Sequence, residues 1–195
     1  ISDLENLLPI VRKQLVRHVL RDISGTLRGV NQGHIDSVLE LMTGQSGRSV
    51  TLPGGMVITR EFDALRFSLN PLPIEFLYQV EVPADIQISE VGKRIVFAEA
   101  SVGSKGVTIP GERVIVRNRR PGDRFRAGPK ARTKTLKKLF LEKKVPKHRR
   151  DRLIVIECQG EIVWLEGFPS ADPLNEHFPQ AKRYDIHLVN ETFRS

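Results

Sequence analysis

The stretch NRRPGDRFRAGPKARTKTLKKLFLEKKVPKHRRDR, residues 118–152, combines a proline–glycine turn, a short apolar-striped segment and a large excess of cations. Extended back to Arg113, the block holds 17 Lys or Arg against three acids, a local charge of +14 in a chain whose formal total is +8, so the remainder carries −6. A basic concentration on a mildly acidic body is the electrostatic footprint of a protein that grips a polyanion. A purely solubilising surface would mix signs to limit self-repulsion, although a charge run can also be a merely solvated face.

Within the block, Pro121-Gly122 predicts a turn, and Asp123 can accept from its own backbone. Phe125 then anchors the loop while Arg119, Arg120, Arg124 and Arg126 reach outward. Lys130 follows, and a helix starting near Thr133 places Leu136, Leu139 and Phe140 on one face with Lys134, Lys137 and Lys138 pointing away. Leu141 falls about 140° from Leu136, outside that stripe, so it marks either the helix end or a contact surface. Pro146 can open a second short helix, PKHRRDRL, and Lys143, Lys144, Lys147, Arg149 and Arg150 crowd the same segment. These thirteen cations are the candidate polyanion ligands.

Downstream, LIVIE and EIVWL read as two strands on either side of Cys158-Gln159-Gly160. Upstream, strand-like pieces at 76–82, 93–98, 106–110 and 113–117 are separated by Pro83, Gly92, Gly103 and Gly111. Residues 71–75, with Pro71 and Pro73, read as a linker. Before it, Leu8, Val11, Leu15, Val19 and Ile23 recur at helical spacing, widened by Leu7, Val16 and Leu20, and predict an amphipathic helix over about 6–23 with Pro9 in its first turn. Ile35, Val38, Leu39 and Met42 line a second helix, capped near Asn31 and stopped at Gly44. RSVTL, a Pro53-Gly54-Gly55 turn, MVITR and ALRFSL then read as strands. The fold expected is α+β: a helical domain with a short antiparallel sheet over 1–70, and a mixed domain of antiparallel strands and basic helices over 76–195.

No run approaches the roughly 20 apolar residues of a membrane span, and the opening ISDLENLLPI has no secretion-signal pattern, so a cytoplasmic product, or a piece of one whose natural start was removed, is expected. The single Cys158 allows no internal disulfide and reads as a strand thiol and not a reactive one. The five histidines lack metal-ligand spacing, and no metal site is expected. Gly54-Gly55 and Gly103-Ser104-Lys105-Gly106 do not precede helices and read as tight turns, not phosphate loops. Asp123 and Asp151 could serve as acid, base or magnesium ligand in a small hydrolase or transferase, but pairing with an arginine is their commoner role. Ser101, Ser104 and Ser170 lack a nucleophile-elbow setting, so no catalytic residue is nominated. Aromatic residues make up only 6% and are not interleaved with cations. A structured or double-stranded RNA, read through its phosphates, therefore suits the block better than unpaired bases.

RRPGDRFR, KTLKKLF, KKVPKHRRDRL and GEIVWLEG, in that order, closely resemble the C-terminal domain of bacterial tRNA(Ile)-lysidine synthases. LPIVRKQLVRHVL, GHIDSVLELM and SGRSVTLPGGMVITREFDALRF resemble the central substrate-binding domain of the same enzymes. The resemblance implies a cytoplasmic enzyme that uses ATP, with magnesium, to adenylate the wobble cytidine of tRNA(Ile) and lets lysine displace AMP to give lysidine. That chemistry belongs to an N-terminal domain with an SGGxDS loop, a motif this sequence does not contain. By resemblance, the chain alone is expected to be inactive and to hold no cofactor. Arg120, Arg124, Arg126 and the 134–138 helix would dock the acceptor arm, and Arg12, Lys13 and Arg17 would help fix the tRNA body. An autonomous structured-RNA or ribosome-associated module is the alternative, and monomer and homodimer both stay open.

Overall fold

The computed structural model describes residues 1–69, 72–101, 103–104, 106–170 and 181–190. The chain divides into two compact units, Ile1–Pro73 and Ile74–Ser195.

In the first unit a single turn, α1 (Ser2–Glu5), precedes α2 (Pro9–Ser24) and α3 (Gln32–Glu40). Pro9 occupies the first helical position, where its missing N–H costs nothing, and α2 ends at Gly25 with a left-handed φ of 71°. Asn31 caps α3 reciprocally: its Oδ1 accepts from the His34 amide at 3.0 Å, and its own amide donates to His34 Nδ1 at 3.1 Å. The helix stops at Glu40, so Gly44 is not its left-handed end; it closes the next turn, with its amide donating to Leu41 O at 3.2 Å. Strands β1 (Ser49–Leu52), β2 (Met56–Glu61) and β3 (Ala64–Leu69) form an antiparallel sheet in that order.

The side of α2 that packs differs from the expected one. Leu8, Val11, Leu15 and Ile23 are exposed, whereas Val16 and Leu20 join Ile35, Val38, Leu41, Leu52, Met56 and Ile58 in the core. Apolar residues cover most of the circumference of α2, so their period fixes the helix but not its buried side. That choice falls to the facing α3 and sheet.

The second unit contains β4 (Leu77–Glu81), β5 (Ala84–Ile88), β6 (Lys93–Glu99), β7 (Val107–Ile109) and β8 (Arg113–Arg117). The basic block follows as β9 (Arg124–Phe125), β10 (Lys134–Thr135), α4 (Leu136–Glu142) and α5 (Lys147–Arg150). Strands β11 (Val155–Cys158), β12 (Glu161–Leu165) and β13 (Lys182–Asn190) complete it. Two four-stranded antiparallel sheets, β12-β11-β8-β4 and β5-β6-β13-β7, share one core. Val114, Val116, Ile156 and Val163 from the first belong to the same apolar cluster as Ile88, Ile95, Phe97, Ile109 and Tyr184 from the second. A separate cluster joins Val155 and Leu165 to Phe125, Leu136, Leu139 and Phe140 of the basic block. The first sheet therefore contributes to two cores, which is why VIEC is buried at three of its four positions.

The architecture is the α+β one expected. Cys158 is a buried strand thiol whose Sγ donates to Arg113 O at 3.4 Å, and burial pushes its pKa up. No strand after residue 165 is among those expected, yet β13 sits between β6 and β7, registered with β6 from Tyr184↔Glu99 to Asn190↔Lys93.

Candidate nucleic-acid interface

Strand β8 delivers Arg117 to the base of the basic loop, where its side chain is only 4% exposed. Its Nη1 and Nη2 donate to the two Asp123 oxygens at 2.8 and 3.0 Å, Nε donates to Glu157 Oε2 at 2.8 Å, and Nη1 also donates to Asn118 O at 3.0 Å. Burial disfavours this charge, but the two carboxylates outweigh that and hold the guanidinium protonated. This residue carries structure, not a ligand contact. Composition hid it within the block, and its place directly after the continuous apolar run VIV of a central strand was the available signal.

Asp123 is the joint of the loop. Besides the two bonds from Arg117, its Oδ2 accepts from the Arg120 amide at 2.6 Å, and its carbonyl accepts from the amide of Leu136, the first residue of α4, at 2.9 Å. Burial by itself raises the Asp123 carboxyl; the bonds from Arg117 and the Arg120 amide, with their charges, more than reverse that and hold it below the usual carboxylate range. Pro121-Gly122 forms the turn, with Gly122 at a φ of 89°, and Phe125 is buried under the loop.

Helix α4 begins at Leu136, three residues later than the sequence suggests, because Lys134 and Thr135 pair with β9 as a two-residue strand. Thr135 caps the helix by accepting from the Lys138 amide at 3.3 Å. Leu136, Leu139 and Phe140 face inward as expected, and Lys137, Lys138 and Leu141 face solvent.

The candidate cations separate into two groups. Arg119 pairs with Asp151 at 2.8 Å, and its buried Nε finds no partner among the described residues. Arg126 donates to the carbonyls of Ala131 and Pro129, closing the 126–131 loop on itself. Lys134, expected to point away, meets Glu142 at 2.7 Å in a solvent-open pair. Arg150 donates through Nε to Val145 O at 2.9 Å, and Lys147 is also engaged. By contrast, Arg120, Arg124, Lys130, Lys137, Lys138, Lys143, Lys144 and Arg149 are exposed and make no ion pair among the described residues. Arg132, absent from the thirteen candidates, joins them. Arg124 stands opposite Thr135 in the β9–β10 ladder, which sets the loop arginines beside the start of α4.

A cleft of about 430 Å³ opens beside the loop, lined by Glu75, Phe76, Leu77, Asn118, Arg119, Arg120 and Pro121. The structure commits Asp123 and Asp151 to arginines, the role the sequence favoured for them. Among the described residues no group of His, Cys, Asp or Glu could hold a metal ion, and no helix is long and apolar enough to cross a membrane.

Residues 114–186 match the family described as TilS substrate C-terminal domain. A bifunctional protein TilS/HprT of Listeria monocytogenes is 29% identical over 172 residues, covering 82% of this chain and 26% of the relative. A tRNA(Ile)-lysidine synthase of Geobacillus kaustophilus is 31% identical over 177 residues, covering 82% of this chain and 37% of the relative. A solved structure described as a crystal structure of TILS C-terminal domain shares 26% identity and a TM-score of 0.47, covering 60% of this chain and 99% of that one. The chain thus spans well under half the length of the curated relatives it matches. It belongs to the tRNA(Ile)-lysidine synthase family, corresponding to the C-terminal region and part of the central region of its members.

Proposed function

We propose that this chain is the tRNA-gripping part of a cytoplasmic enzyme that uses ATP, with magnesium, and lysine to convert the wobble cytidine of tRNA(Ile) to lysidine. One observation carries the reading: the basic block's exposed cations without ion pairs among the described residues all belong to one lobe of the second unit, the 119–132 loop, α4 and α5, which the β9–β10 ladder and a shared apolar cluster hold together. The cations with intrachain partners build that lobe, and the others are left to meet phosphates. Phosphate contacts position an RNA without reading its bases. Such remote binding energy helps catalysis by holding the reacting base in register at a separate centre.

Titration of the chain with tRNA(Ile) over a range of salt concentrations tests this. Changing Arg120, Arg124, Lys137 and Lys138 together to alanine is expected to reduce the slope of log K against log salt by about 3 to 4. An unchanged slope, or retention of heparin as tight as that of tRNA at about 0.15 M salt, would remove the reading. In the complete enzyme the same variant lowers kcat/KM at subsaturating tRNA.

A further inference from the structure

The outer side of α4 contains a residue that phosphate binding alone does not explain. Leu141 is 47% exposed. At about 100° per residue it lies roughly 40° from Lys137 and roughly 60° from Lys138, so an apolar tip stands between two lysines. Both lysines are exposed and free of ion pairs among the described residues, whereas the next acid around the helix, Glu142, is held by Lys134. Just past the helix, Lys143 and Lys144 add two more exposed cations. A leucine gains nothing from a phosphate, but it gains from the carbon edges of sugars.

We propose that this face of α4 lies in the minor groove of an A-form RNA duplex, with Leu141 on the ribose edges and Lys137 and Lys138 reaching phosphates on the two rims. The inference deepens the tRNA-gripping reading and rests on it. A-form RNA has a major groove too deep and narrow for side chains and a wide, shallow minor groove that displays riboses. Helix α4 has seven residues, about 10 Å of axis, and presents one short convex face, which suits a shallow groove. The minor groove of B-DNA, about 6 Å wide, does not admit a helix. The major groove of B-DNA does admit one but turns base edges toward the helix, not riboses, so the ribose contact of Leu141 is what separates RNA from DNA, without a base code.

The test compares the chain and its variants on an RNA duplex of about 16 base pairs and on the DNA duplex of the same sequence. Leu141→Ala is expected to weaken RNA binding about five-fold, to leave the salt slope unchanged and to leave DNA binding unaffected. Lys137→Ala and Lys138→Ala are each expected to lower the RNA salt slope by about 0.9. Because Leu141 is half exposed, the melting temperature of Leu141→Ala should match the wild type, so folding does not confound the result. RNA binding indifferent to Leu141→Ala, or an equal loss on DNA, overturns the inference while leaving the tRNA-gripping reading intact. So does a Leu141→Ala defect confined to an acidic polypeptide such as polyglutamate, which would assign the face to a protein partner. Failure of the unmodified chain to bind either RNA duplex or tRNA(Ile) overturns both.

Discussion

Lys93 and Glu166, 73 residues apart in the chain, meet with Nζ 2.6 Å from Oε1 and 2.7 Å from Oε2. Lys93 lies in β6 and Glu166 follows β12, so the contact ties the second sheet to the end of the first. The same ammonium donates to Arg152 O at 3.0 Å, and Glu166 Oε2 accepts from the Ile154 amide at 3.0 Å. A pair with side chains 13% and 15% exposed is mostly desolvated, and removing one charge strands the other. Glu166→Gln should therefore lower the unfolding free energy by about 3 kcal/mol in urea. Lys93→Met added to it should recover part of that loss, since the introduced amide oxygen can still accept from Ile154 and no buried charge is left alone. A double variant weaker than the single would show that the lysine contributes mainly through its own packing and its bond to Arg152.

Asp123 makes stability depend on acid. Its carboxyl titrates lower in the folded chain than the roughly 3.9 of an unfolded one, so the unfolded state binds the proton first. The stabilisation is complete above about pH 5 and fades as pH falls through the folded value. Asp123→Asn should be less stable than the wild type at about pH 7, by about 2 to 3 kcal/mol, because Arg117 keeps only Glu157 as a charged partner. The difference between the two should shrink below about pH 4. Asp36, Asp63 and Asp85 also have lowered values but are common to both proteins, so they cancel from the difference. Denaturation at several pH values reads the gap, and a gap constant down to about pH 3 would show that charge on Asp123 is not what holds Arg117.

The two sides of α2 should respond very unequally to substitution. Leu20 is 1% exposed and packs in the first unit's core, so Leu20→Ala should cost about 3 kcal/mol. Leu15, 38% exposed, belongs to the stripe that periodicity alone would bury, and Leu15→Ser should cost clearly less, about 1 kcal/mol. Urea denaturation of both variants decides between the two sides.

These contrasts show what was legible in the residues and why. Period and punctuation suffice for elements: RVIVR gives β8 from Arg113 to Arg117, Pro9 opens α2, Asn31 caps α3, and Leu136, Leu139 and Phe140 give the inner side of α4. They do not suffice where the outcome depends on a distant partner. The packed side of α2 is chosen by α3 and the sheet. Lys134 loses its expected freedom because Glu142 is one helix away, and Arg117 is buried because Glu157 arrives on β11. Strand β13 carries the alternation of Tyr184, Ile186 and Leu188 over Asp185 and His187, the period of a half-buried strand, but over five residues with no turn residue directly bounding it this signal is readily passed over. In the basic block, charge counting located the lobe, but only geometry separated the cations that build it from those left facing solvent.

Lys144 ends α4 in a conformation that a lysine adopts at a cost. Its φ is 51°, its amide donates to Leu141 O at 3.1 Å, and the next amide, of Val145, donates to Phe140 O at 2.7 Å. This is the Schellman pattern, with Lys144 at the left-handed position that glycine takes without a Cβ penalty. A side chain there costs about 1 kcal/mol relative to glycine. Lys144→Gly should consequently stabilise the second unit by about 0.5 to 1 kcal/mol. The same change removes an exposed cation from the proposed RNA-facing lobe, so it should lower the salt slope of tRNA binding by about 0.9. Stability and binding are then expected to move in opposite directions, which a global loss of structure cannot produce. Parallel denaturation and salt titrations on one protein preparation measure both, and a variant that is stabilised with binding unaltered would place Lys144 outside the contact.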